Sequence, residues 1–231
     1  MEKRIKTGIE GFDSSLDGGL LPGHVVMLLG ESMSGRETFL HQYFYTGLKE
    51  DEGSVFVTTR MFHDEVKAVL ENYGWQTDPY IGKFIFIDAY TPQSDPTVMD
   101  TGTVRYVHSV ADFAKLSNTI VTSLTEFHNK GMERKRIAFD SIDTLLMYLS
   151  AQAVYRFLSY LRAKIKGFKA TAVMMLDNSI HQEKDVKTLT QLADIIATVN
   201  QNDSTITIQS LGRPPARRRY EITNQGFSIQ S

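Results

Sequence analysis

Apolar residues along this chain fall into short blocks separated by polar, glycine-rich or proline-rich stretches. Residues 24–29 form an apolar run that ends in a glycine loop. Residues 37–48 follow with helical spacing, with Phe39, Leu40, Phe44 and Leu48 on one side. Val55-Phe56-Val57 predicts a second buried strand, residues 63–73 a second helix, and Phe84-Ile85-Phe86-Ile87 a third strand. Pro92, Pro96 and Gly102 punctuate a polar stretch that predicts a long loop. Val110, Phe113, Leu116, Ile120, Leu124 and Phe127 recur as one stripe and predict an amphipathic helix over 110–127. Ile137-Ala138-Phe139-Asp140 reads as a buried strand ending in a carboxylate. Val154, Phe157, Leu158, Leu161 and Ile165 mark another helix, and residues 171–176 another strand. The last segment changes period. Residues 195–199, 205–209, 219–222 and 227–229 read as successive strands joined by turns. Strands alternating with helices imply an α/β fold: a mostly parallel sheet covered on both faces, with antiparallel strands appended at the C-terminal end.

The composition narrows the class without naming a function. A chain of 231 residues is long enough for a proper core, and no linker divides it, so one domain over 1–231 is expected. A formal net charge of −2 gives no overall pull towards nucleic acid or anionic lipid. The absence of cysteine excludes disulfides, thiol nucleophiles and cysteine-metal sites. Apolar runs such as Val25-Val26-Met27-Leu28-Leu29 are far below a membrane span, and the first residues lack the apolar stretch of a secretory signal. These features fit a cytoplasmic protein with no membrane partner.

The candidate chemistry sits in Gly30-Glu31-Ser32-Met33-Ser34-Gly35-Arg36-Glu37. A phosphate-binding P-loop reads G-x-x-x-x-G-K-[ST]. Both glycines are in place, and Gly30, Ser34 and Gly35 suit a nest of backbone N–H groups at a helix N-terminus. The lysine is Arg36, which keeps the charge in a bulkier planar fork. The hydroxyl residue that would ligate Mg²⁺ is Glu37. A carboxylate there opposes the phosphates, at roughly 4 kcal/mol for like charges ~4 Å apart at an effective dielectric of 20. Thr38 offers a hydroxyl one residue later, about 100° round the helix.

The residues around this loop carry a family resemblance. Arg4-Ile5-Lys6-Thr7-Gly8-Ile9-Glu10-Gly11-Phe12-Asp13, then Leu16-Asp17-Gly18-Gly19-Leu20, then Pro22-Gly23-His24-Val25-Val26, resembles the opening of KaiC-like domains of the RecA superfamily. The likeness continues through Ser54-Val55-Phe56-Val57-Thr58, Ile137-Ala138-Phe139-Asp140-Ser141 and Leu192-Ala193-Asp194-Ile195-Ile196. It implies a RecA-like fold in which the Walker B strand is not adjacent to the P-loop strand. It also implies rings or filaments with ATP at subunit interfaces, so the expected partner is a second copy or a KaiC-like paralogue. By the same resemblance Asp140 matches the Walker B aspartate, the metal position if Mg²⁺ binds. The paired catalytic glutamates of the family fall on Arg60 and Met61, neither of which is a carboxylate. The inter-subunit Lys-x-Arg pair falls on Ser210-Leu211-Gly212, with Arg213 one residue beyond. The implied cofactor is therefore weakly bound ATP with Mg²⁺, or none.

Two arrangements are open for Arg36, Glu37, Arg60 and Asp140 at the C-terminal edge of the sheet: they converge and fill the phosphate and magnesium positions with ion pairs, or each is solvated independently around an empty loop. The basic stretches Glu133-Arg134-Lys135-Arg136 and Arg217-Arg218-Arg219 are expected to be solvated strand ends, with nucleic-acid binding not favoured. The histidines lack metal-ligand spacing and are expected in surface or packing roles. The expected function is a non-hydrolysing regulatory or scaffolding subunit, with a weak ATP binder or slow ATPase and a nucleic-acid-binding accessory as alternatives.

Overall fold

A computed structural model describes residues 3–230. In chain order the elements are α1 (Glu10–Ser15), β1 (Val25–Leu29), α2 (Arg36–Lys49), β2 (Gly53–Thr58), α3 (His63–Asn72), β3 (Phe84–Asp88) and β4 (Val104–Tyr106). There follow α4 (Phe113–Asn129), β5 (Lys135–Asp140), α5 (Ile142–Tyr148), α6 (Ala151–Gly167), β6 (Thr171–Leu176) and α7 (Glu183–Thr190). The chain closes with β7 (Ile195–Asn200), β8 (Thr205–Ser210), β9 (Ala216–Thr223) and β10 (Gly226–Ile229). The strands form one sheet in the order β10-β9-β8-β7-β1-β6-β5-β2-β3-β4. Strands β7 through β4 in that order pair in parallel, and β8, β9 and β10 pair antiparallel. β6 separates β1 from β5, as the RecA resemblance implies.

The central strands are apolar throughout because both faces are covered. In β1, Val26 and Leu28 pack on one side with Phe39, Leu40 and Phe44 of α2. Val25, Met27 and Leu29 pack on the other with Leu116 of α4 and Leu158 of α6. Parallel strands carried on such a core bring all their C-terminal ends to one edge. Residues 30–37, 59–61, 140–143 and 177 therefore meet there.

Several boundaries differ from the sequence expectations. The amphipathic helix begins at Phe113, where Asp112 caps it by accepting the Lys115 N–H at 2.8 Å. The stretch expected as a long loop contains β4, three residues that complete the sheet edge beside β3. The basic stretch before β5 is a correction. Lys135 and Arg136 lie within the strand between β2 and β6 and are buried. Arg136 has nowhere to reach solvent and is satisfied internally. Its Nη2 is 2.6 Å from Glu52 Oε2, its Nη1 donates to Tyr43 O at 2.6 Å, and its guanidinium lies 4.6 Å from the Tyr43 ring centroid. Arg217, on the sheet's antiparallel extension, is exposed and pairs with Asp203. No helix among the described residues is long and apolar enough to cross a membrane.

Candidate functional site

β1 delivers the chain into the glycine loop, and α2 starts immediately after it. Gly35 caps α2 with φ of 97°, and a Cβ there would lie 2.3 Å from Ile222 Cδ1. Gly35→Ala therefore meets both a disfavoured dihedral and a clash. It is expected to cost about 1–3 kcal/mol in denaturant unfolding. The loop is held from the C-terminal strands, since the Tyr220 hydroxyl of β9 donates to Ser34 O at 2.6 Å. The first turn of α2 leaves N–H groups without intrahelical acceptors.

Arg36 is buried, with its side chain 5% exposed. Its Nη2 donates to Asp177 Oδ2 at 3.3 Å and lies 3.7 Å from Asp143 Oδ2. Its Nε is 3.5 Å from Glu37 Oε1. The same Asp177 oxygen accepts the Ser32 backbone N–H of the loop at 3.0 Å. One carboxylate from the end of β6 thus occupies both a loop amide and the loop arginine. Burial raises the Asp177 carboxyl, but Ser179, Ser32 and Arg36 outweigh it and hold it below its ordinary value. Asp143 accepts the Asp177 N–H at 2.7 Å and contacts His181 Nε2 at 3.0 Å. Thr38 turns away from the loop and meets the Tyr73 hydroxyl at 3.1 Å.

The second half of the cluster is built by two strand ends. The Thr59 N–H donates to Asp140 O at 2.7 Å, and the Ser141 N–H donates to Thr59 Oγ1 at 3.0 Å. This lacing of β2 to β5 places Arg60 over Asp140. Arg60 Nε donates to Asp140 Oδ1 at 2.5 Å. Asp140 is fully buried, and burial pushes its carboxyl above the ordinary value while Arg60 pulls it back only in part. Met61 packs against the hydrophobic core, and its backbone carbonyl accepts the Thr58 hydroxyl.

Of the two arrangements open from the sequence, the structure shows the convergence, with members the sequence reading missed. Asp143, Asp177 and His181 join Arg36, Glu37, Arg60 and Asp140. Two arginines against four carboxylates leave a formal charge of −2 before His181 is counted. The signal for Asp177 was present in the sequence: like Asp140, which follows Ile137-Ala138-Phe139, it comes directly after an unbroken apolar run, 172–176. Beneath the cluster, one helical turn after Glu37, the His41 ring stacks on Phe56 at 5.4 Å with both nitrogens lacking hydrogen-bond partners among the described residues. The candidate inter-subunit cation Arg213 lies elsewhere, at the opposite edge of the sheet, and its guanidinium pairs with Asp17 of its own chain.

A model of the KaiC ATPase family matches residues 5–207. A UPF0273 protein of Thermotoga maritima is 28% identical over 187 residues, covering 79% of this chain and 73% of that protein. A UPF0273 protein of Aeropyrum pernix is 31% identical over 183 residues, covering 78% of this chain and 70% of its own. The circadian clock protein KaiC3 of Synechocystis is 28% identical over 178 residues, which are 74% of this chain and 32% of the clock protein. With its fold in the RecA arrangement and most of its length matched, the chain belongs to the KaiC ATPase family.

Proposed function

We propose that this KaiC-family chain is a pseudo-ATPase, a non-hydrolysing regulatory or scaffolding subunit that works by contact with itself or with a KaiC-like paralogue. The observation that carries the proposal is the Arg60–Asp140 ion pair at 2.5 Å. Mg²⁺ in this family would need Asp140 and a hydroxyl at the position of Glu37. The residues present do not fit it. Arg60 takes one Asp140 oxygen, Glu37 supplies no hydroxyl, and Thr38 is turned to Tyr73. Nucleotide phosphates would also face the four carboxylates. Each like-charge pair ~4 Å apart costs roughly 4 kcal/mol at an effective dielectric of 20. No residue at 60 or 61 can accept a proton from an attacking water.

A second reading, metal-free and weak nucleotide binding, is favoured by one feature. Arg36 Nε and Nη1 and Ser34 Oγ are buried beside the loop without hydrogen-bond partners among the described residues. A phosphate-release assay with MgATP, paired with calorimetry in MgATP and in ATP with EDTA, separates the readings. The pseudo-ATPase gives no turnover above buffer, and Asp140→Ala changes nothing. Heat of binding in EDTA alone supports the second reading. Turnover that disappears in Asp140→Ala contradicts both.

A further inference from the structure

At the other end of β1, away from the glycine loop, lies a cavity of 710 Å³ between the N-terminal segment, α6, and the ends of β7 and β8. Its volume falls within the range of small-molecule sites. Its charge is opposite to that of the glycine-loop cluster. Arg213 and Arg4 stand on one wall and share Asp17, with Arg4 Nη2 3.5 Å from its carboxylate. Arg162 also lines the cavity and reaches Asp194 at 2.8 Å, a carboxylate that Lys166 approaches at 3.5 Å. Four cations against two carboxylates leave a formal surplus of two positive charges. Asp194 is further committed, because it accepts the Val25 N–H at 2.9 Å. Arg162 Nε is buried and has no acceptor among the described residues.

His24 adds a directed donor. Its Nδ1 accepts the Leu21 N–H at 3.4 Å, which in the neutral ring places the proton on Nε2. Burial holds this imidazole below its ordinary value; Asp194 opposes that shift, while Arg4, Lys166 and Arg162 reinforce it. Leu16, Leu21, Ile196 and Leu211 supply apolar wall. Guanidinium groups match oxyanions through paired N–H donors, and a phosphate monoester carries about two negative charges at pH 7.

We propose that this cavity binds a small phosphate monoester with an apolar body, its phosphate between Arg162 and Arg213 and its body against the leucines. The site is separate from the glycine loop and does not depend on the function proposed above. Phenyl phosphate is the probe, titrated into the full chain by calorimetry at low and moderate salt. Saturable binding is expected, weakened at least tenfold in Arg162→Gln and in Arg213→Gln and unchanged in Arg36→Gln. Thermal midpoints of the three variants report whether each is folded. A readout that needs no variant is the proton spectrum of the His24 imidazole, expected to shift with the same saturation curve. Absence of saturation, equal affinity for phenol, or loss of binding in Arg36→Gln with both cavity variants unaffected would overturn the proposal.

Discussion

Acidification is expected to strip about 1.4 kcal/mol of stability per pH unit through His41 alone, beginning near pH 6.5 and continuing towards pH 3. The side chain is fully enclosed, and burial, reinforced by the charge of Arg60, pushes its imidazole down to about 3. The sign follows from which state binds the proton. Below pH 6.5 the unfolded chain protonates this histidine and the folded chain does not, so the unfolded state gains. Over the whole window the loss approaches about 5 kcal/mol, comparable with the entire stability of many domains. His41→Leu should flatten this slope. At pH 7 two effects oppose each other in that variant. Losing the stack on Phe56 costs about 0.5–1.5 kcal/mol, whereas removing two unpartnered ring nitrogens relieves about 1–3 kcal/mol. The net change at neutral pH is small, so the pH slope of urea unfolding is the decisive measurement. An unchanged slope in His41→Leu would show that other groups govern acid unfolding.

Arg60→Ala is expected to destabilise the fold by about 2–3 kcal/mol at pH 7. Removing one partner of a buried pair typically costs about 3–5 kcal/mol, and the lower figure allows for Arg60 being 37% exposed. The carboxylate left behind is fully buried, and its second oxygen already lacks a donor among the described residues. Without Arg60, burial raises the Asp140 carboxyl further. The penalty is then present where the carboxylate must ionise and falls as the pH is lowered towards the unfolded value near 4. The double variant Arg60→Ala, Asp140→Asn removes the charge and should recover most of the loss. Urea titrations at pH 7 and pH 5 test both points. A penalty that is equal at the two pH values would mean that Arg60 contributes packing rather than charge compensation.

These two variants bear on function because the pair that stabilises the edge of the sheet is the same pair that closes Asp140. In an active nucleotide site that carboxylate would be held ready for a hydrated metal. Here its charge is answered from within the chain.

Much of this arrangement was legible in sequence, for physical reasons. β6 was placed to the residue because five apolar side chains in a row after Thr171 leave little choice of environment. Gly30 and Gly35 marked the loop because its geometry requires them. β4 was missed because three residues carry no period and are a strand only through pairing with β3. α7 was missed because it buries only Val186 and Leu189. Arg136 was misjudged because a local charge run hides that its strand is central; its partner Glu52 is 84 residues away. Asp177 escaped because its role depends on β6 lying beside β1, a pairing between segments far apart in the chain.

The most direct test of a site closed by its own side chains is a crystal structure of the protein soaked in ATP and Mg²⁺. Arg60 is expected to remain paired with Asp140 and Asp177 to remain on Ser32 and Arg36, with no ordered metal at Asp140. Phosphates ordered on the amides of the Gly30 to Gly35 loop, with Mg²⁺ beside Asp140 and Arg60 displaced, would contradict it.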